Sequence, residues 1–107
     1  MLFRSGAPMY VEDALRALDR FGLRLAQIYG QGESPMTITA LARHWHVDDG
    51  TPGHAARLAS VGLAQTGITL RIARVEDDAD VPASIDEALP AGEIGEILVR
   101  GDTVMQG

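Results

Sequence analysis

Cysteine is absent from these 107 residues, so neither a disulfide nor a thiolate metal site can be built. That fits a reducing compartment, and a cytoplasmic location is the expectation. Positive charge is scarce: nine Lys and Arg stand against fifteen Asp and Glu, a formal net charge of -6. With no basic run to offset this locally, the chain repels phosphate backbones, which argues against nucleic acid and anionic membrane surfaces as partners. No apolar run approaches the ~18 residues that span a bilayer, and the opening MLFRSGAPMY carries no leader pattern. Three catalytic signatures are missing as well. There is no G-x-x-x-x-G-K-[ST] phosphate loop, no G-x-G-x-x-G dinucleotide fingerprint, and no G-x-S-x-G elbow around Ser5 or Ser34. No internal repeat is visible.

What is present begins with PMYVEDALRALDRFG, where Val11, Ala14, Leu15, Leu18 and Phe21 follow helical spacing and predict one buried stripe. Pro8 suits a first turn, Glu12 and Asp13 complement the positive end of the dipole, Arg20 sits near the other end, and Gly22 can adopt a left-handed stop. A short extended run, LFR, precedes this helix, and LRLAQIY, apolar and of strand length, follows it. Strand, helix and strand form a crossover unit with parallel strands, so the residues after each strand emerge on one rim of the sheet. SGAP and YGQGE are thereby expected side by side. Ligands of open α/β sheets bind outside the carboxyl ends of strands, so the two glycine-bearing loops together are the strongest candidate site.

The remainder reads less evenly. Between Met36 and Arg43 the apolar positions fit neither helix nor strand, and HVDDGTPGH reads as loop. GITLRIARV alternates as a half-buried strand, EDDADVPASIDEALPAGE is a long polar connection, and IGEILVRG is another strand, giving an antiparallel pair. The acidic group Glu76, Asp77, Asp78 and Asp80 reads as a solvated turn. His44, His46 and His54 with Asp48 have the ligand types of a zinc site, but surface histidines explain the same letters.

In YGQGESPMT, Tyr29 offers a flat ring on which a base can stack, Gly30 and Gly32 let backbone N–H groups approach a ligand, and Glu33 is a hard oxygen ligand for Mg²⁺. A plain turn uses the same residues.

Three segments in order, SGAPM, YGQGESPMT and GEIGEILVRGD, resemble the AMP-forming acyl-CoA synthetases of the adenylate-forming ligase superfamily, most closely the fatty-acid or related acid–CoA ligases. The linking RLASVGLA and GITLRIARVED extend the resemblance over nearly the whole chain. It implies an enzyme that activates a carboxylic acid with ATP as an acyl-adenylate and then transfers the acyl group to CoA. It also implies roles for named residues. Gly6, Ala7 and Pro8 lie along the adenine, Tyr29 stacks on it, Gly30 borders the acyl site, and Glu33 contacts magnesium. Gln31 lies near the acyl pocket, as do Val61 and Gly62. Where the family has a phosphate-contacting threonine, this chain has Gly32, and Ser34 or backbone N–H groups are the candidate replacements.

The family's phosphate loop, ribose-binding aspartate, hinge and catalytic lysine have no counterpart among these residues. The expectation is therefore an internal stretch of one AMP-binding domain, inactive alone and prone to self-association through uncovered apolar surface. Within it, residues 1–35 form the strand–helix–strand with the adenine-binding rim, 36–67 a connecting segment, and 68–107 a β-rich part. The expected fold class is α/β: a crossover unit of a larger sheet, followed by antiparallel strands of a small β-rich subdomain. Alternatives are a non-catalytic nucleotide- or protein-binding module, or part of an amino-acid adenylation domain.

Overall fold

The computed structural model describes residues 2–4, 7–75 and 87–106. Gly6, Ser5 and the acidic group Glu76, Asp77, Asp78 and Asp80 lie outside the described residues. The chain divides into two compact units, Met1–Gln65 and Thr66–Gly107, each with its own sheet.

In the first unit, β1 (Leu2–Arg4) pairs in parallel with β2 (Leu25–Gln31), Leu2 opposite Leu25 and Arg4 opposite Gln27, and α1 (Val11–Phe21) connects them. The strand–helix–strand unit is as the apolar pattern predicts. Gly22 stops the helix at φ 68°, its N–H donating to the Leu18 carbonyl at 2.8 Å. The start differs from expectation: α1 begins at Val11 with Tyr10 as an extended N-cap, and Pro8 lies ahead of it. Proline biases the residue before it toward extended backbone, which keeps Ala7 out of the helix, and the extended Tyr10 leaves Pro8 ahead of its first turn. The apolar stripe is also covered unevenly. Ala14 is fully buried and Val11 and Leu18 half-buried, whereas Leu15 and Phe21 remain 47% and 51% exposed.

β3 (Ser34–Leu41) returns antiparallel to β2, pairing Tyr29 with Thr39 and Gln31 with Ser34. The expected loop after Tyr29 is thus a hairpin in which only Gly32 and Glu33 stand between the strands. The register shifts between Tyr29 and Gln31, with Met36 at φ 59° on the opposing strand. This bulge breaks the two-residue period and explains why 36–43 resists assignment from pattern alone. It also fixes Gly30: a Cβ there would overlap Met36 N and come 2.5 Å from the Ser34 carbonyl oxygen.

A 3₁₀ turn (Arg43–His46) leads to a loop and then α2 (His54–Ala59), a helix inside the stretch read as loop and linker. Six residues are too few to show helical period, but Leu58 is fully buried and anchors it. β4 (Leu63–Ala64) pairs antiparallel with β3, and Gln65 N–H extends the ladder to the Ile38 carbonyl at 3.0 Å. The sheet order is β1-β2-β3-β4, around a core of Ala14, Leu25, Ala26, Ile38, Leu41 and Leu58.

In the second unit, β5 (Thr69–Ala73) and β6 (Glu96–Arg100) form the expected antiparallel pair, Thr69 opposite Arg100 and Ala73 opposite Glu96. Ala73 is buried there, and Leu89 N–H donates to the Ile72 carbonyl at 2.7 Å.

Candidate functional site

The first unit carries a cleft of about 390 Å³ at the carboxyl end of β2. Ala7, Pro8 and Met9 form one wall, Gln27 to Gly30 the floor, and Ala59, Ser60 and Val61 the other wall. The crossover brings the residues after β1 beside the end of β2, as parallel pairing requires. Ala7, Pro8, Tyr29 and Gly30 are therefore brought together as expected from sequence. Gln31, Gly32 and Glu33 are not among the lining residues; they sit at the exposed tip of the hairpin. Val61 lines the cleft and Gly62 does not.

Tyr29 is half-buried, and its phenol oxygen accepts a hydrogen bond from Gln31 Nε2 at 2.8 Å. Two residues apart on one strand, the two side chains share a face. Gln31 thus holds the outer end of the ring. Ser34 is buried and its hydroxyl shares a 2.7 Å hydrogen bond with Thr37. The opposite wall is tied down by Thr39 Oγ1, which donates to the Val61 carbonyl at 2.5 Å.

Gln27 is a lining residue that the sequence reading does not single out, and His46 has a role that reading does not anticipate. Gln27 lines the cleft yet is only 7% exposed, and its Nε2 lies 3.2 Å from His46 Nε2. A glutamine inside the apolar run LAQIY, two residues before Tyr29, was the available signal, because a buried carboxamide needs a partner. His46, expected among surface or zinc-binding histidines, is 1% exposed, with Nδ1 3.0 Å from the Ala42 carbonyl. His44 instead packs its ring against Trp45, and His54 Nε2 donates to the His46 carbonyl at 3.2 Å. The histidines do not converge, and among the described residues no group of three or more His, Cys, Asp or Glu is placed to hold a metal ion.

Burial pushes the His46 imidazole below its ordinary range, against the opposing pull of the Ala42 and Arg43 backbone, and nearby His54 adds to the lowering. The unfolded chain binds this proton near pH 6.5, above the folded titration, so stability is complete above that pH and declines as pH falls through the window below it. Melting temperature is expected to drop between pH 7.5 and 5.5, and replacing His46 by Asn should flatten this part of the profile. A slope unchanged in the variant would assign the effect elsewhere. In the adjoining loop Asp49 is held well below the usual carboxylate range by the Thr51 hydroxyl and by Arg57, whose Nη2 lies 2.9 Å away.

An α/β unit with its cleft at the carboxyl end of a parallel pair has the layout of a ligand-binding enzyme domain. The chain belongs to the AMP-binding enzyme family, which matches residues 1–107. It is 33% identical over 100 residues to a medium/long-chain fatty-acid–CoA ligase of Mycobacterium tuberculosis, covering 94% of this chain and 14% of that protein. It is 34% identical over 106 residues to a feruloyl-CoA synthase of Amycolatopsis, covering 99% and 18%. Among solved structures it is similar to the amide bond synthetase McbA of Marinactinospora thermotolerans, with a TM-score of 0.72, 29% identity, and coverage of 98% and 18%. Apo MatB of Rhodopseudomonas palustris has a TM-score of 0.70 at 25% identity, with coverage of 100% and 18%. The chain thus spans less than a fifth of the length of these relatives. The α/β fold expected from the sequence is shared with adenylate-forming enzymes. Among the described residues no helix is long and apolar enough to cross a membrane.

Proposed function

We propose that this chain supplies the base-binding wall of an ATP-dependent, AMP-forming acid–CoA ligase, which activates a carboxylic acid as an acyl-adenylate and passes it to CoA. The observation that carries the reading is the single cleft shared by Tyr29, Gly30, Ala7 and Pro8. Tyr29 stacks on the adenine, and Gly6, Ala7 and Pro8 lie along it. Gly30 lines the floor, and Gln31 holds the Tyr29 ring.

Glu33 suits a role with Mg²⁺. It is exposed and has no ion pair among the described residues, and an ion that keeps several waters and takes its other ligands from phosphate needs only one or two carboxylates. Bound Mg²⁺ supplies charge neutralisation at phosphate oxygens. Gly32 beside it leaves the backbone open to approach by a phosphate. Leu15 and Phe21, exposed on α1, form the apolar surface through which the isolated chain self-associates, a property sedimentation equilibrium reads directly.

ATP–pyrophosphate exchange tests the reading. The 107-residue chain alone is expected to show none. In the chain extended to the length of its relatives, Glu33→Gln should raise the Mg²⁺ requirement about tenfold or more. Exchange from the isolated chain, or an unaltered Mg²⁺ dependence in the variant, would contradict it. An amine acceptor in place of CoA is a second reading, favoured by the likeness to an amide bond synthetase. Competition between CoA and free amines for the adenylate separates the two.

A further inference from the structure

The bulge in the β2–β3 hairpin is wide, and one residue outside it holds its carbonyls from the far side. Between the pairs Tyr29–Thr39 and Gln31–Ser34, β2 contributes Gly30 alone, while β3 contributes Pro35, Met36, Thr37 and Ile38. With one residue opposite four, β2 cannot supply a regular ladder to this segment, whose backbone groups still need partners. The surplus folds against Gly30, where an added Cβ would meet Met36 N, and it leaves Met36 at φ 59°, a conformation unfavourable for a residue with a side chain. Gln65, just beyond β4, supplies the donors. Its backbone N–H donates to the Ile38 carbonyl at 3.0 Å, and its Nε2 donates to the Met36 carbonyl at 2.8 Å and to the Thr39 carbonyl at 3.1 Å. Carbonyls only accept, so both side-chain contacts identify that atom as the amide nitrogen. All three donors of Gln65 are thus engaged on Met36, Ile38 and Thr39.

The bulge stands between two parts of the proposed site. Gly30, against which it packs, lines the cleft floor, and β3 enters the bulge directly after Gly32 and Glu33 at the exposed tip. Thr39, whose carbonyl takes one of the Gln65 hydrogens, gives its own hydroxyl hydrogen to the Val61 carbonyl at the cleft wall. We propose that Gln65 is a positioning residue: by bridging the Met36 and Thr39 carbonyls it fixes the bulge, and with it the placement of the Glu33 tip relative to the cleft. The inference rests on the reading of Glu33 as a Mg²⁺ ligand and deepens it. A carboxylate on a two-residue hairpin tip is only as well placed as the strands that carry it, and one of these strands is irregular where it meets the cleft. Without the bridge, Met36 is free to leave its left-handed conformation and the tip moves.

Three measurements on the 107-residue chain test this. The first needs no nucleotide: the Gln65 carboxamide protons should exchange with solvent about tenfold or more slowly than those of the exposed Gln106, and equal rates overturn the proposal. The second separates donor from size. Gln65→Glu keeps the shape and at pH 7.5 offers no side-chain donor, so it should displace the amide signals of Gln31, Gly32 and Glu33 far more than those of α1. Tip signals left in place, or displacements spread evenly over the Met1–Gln65 unit, overturn the proposal. The third is an AMP titration at rising Mg²⁺. Gln65→Leu, which removes both donors without adding charge, should raise the Mg²⁺ concentration that half-saturates the AMP complex about tenfold, in the same direction as Glu33→Gln. A requirement raised by Glu33→Gln and unmoved by Gln65→Leu overturns the inference. Failure of AMP to bind, or a Mg²⁺ dependence that Glu33→Gln leaves unchanged, counts against the proposed function, and the exchange rates and tip signals then decide the role of Gln65. If neither Gln65 variant folds, the exchange rates decide it alone.

Discussion

Valine at position 62 is expected to destabilise the Met1–Gln65 unit by about 3 kcal/mol or more, read as a lower urea midpoint with an unchanged slope. Two costs add. Gly62 has φ 85°, a left-handed conformation that a side-chain-bearing residue enters at a cost of about 1–2 kcal/mol, and more for a β-branched one. A Cβ there would also overlap the Ala40 carbonyl group and Leu41 N, atoms of the β3 backbone that cannot step aside as a flexible side chain could. Forced displacement of packed backbone typically costs a further 1–3 kcal/mol. Gly50 separates the terms, because its φ is 72° but nothing lies within 4 Å of a Cβ built on it. Gly50→Ala should cost only the backbone part, about 1 kcal/mol. If Gly62→Val and Gly50→Ala cost the same, the close approach to β3 is not a constraint. The matter bears on the site, since Gly62 follows Val61, whose carbonyl Thr39 holds at the cleft wall.

Removing the ring at position 29 is expected to weaken AMP binding about 10- to 100-fold. Stacking of a base on an aromatic side chain contributes ~1–3 kcal/mol, and 1.4 kcal/mol is one factor of ten. Tyr29→Phe keeps the ring and loses only the hydrogen bond from Gln31, so it should bind within about threefold of the unsubstituted chain. Isothermal titration of the three proteins decides it. Equal loss in Phe and Ala would mean the phenol oxygen, not the ring face, meets the ligand, while no loss in Ala would remove Tyr29 from the binding wall.

The parts of this molecule legible in its sequence are those where one short-range rule acts alone. Helical spacing and dipole-matched charges give α1, and alternation gives β5 and β6, without reference to anything distant. The pairing of Ala7 and Pro8 with Tyr29 follows from one further rule, that parallel strands deliver their carboxyl ends to the same rim. What was not legible depended on two segments meeting. The β3 pattern is scrambled by a bulge that exists only because the opposing strand carries Gly30. His46 reads as polar and exposed until α2 and β2 close around it. Gln31 and Glu33, which the letters place in one loop with Tyr29, are carried off the cleft because the strand continues two residues past the tyrosine. Leu15 and Phe21 obey the helical stripe and are still exposed, since periodicity tells which residues seek cover and not whether this chain provides it.

A base-binding wall of Ala7, Pro8, Tyr29 and Gly30 can be read from backbone amide signals as AMP with Mg²⁺ is added, against ribose 5-phosphate as the baseless control. AMP is expected to bind in the millimolar range and to shift the signals of Ala7, Met9, Tyr29, Gly30 and Val61, while ribose 5-phosphate leaves them in place. A well-dispersed spectrum that AMP leaves unchanged, or one whose shifts fall in β5 and β6 instead, would contradict it.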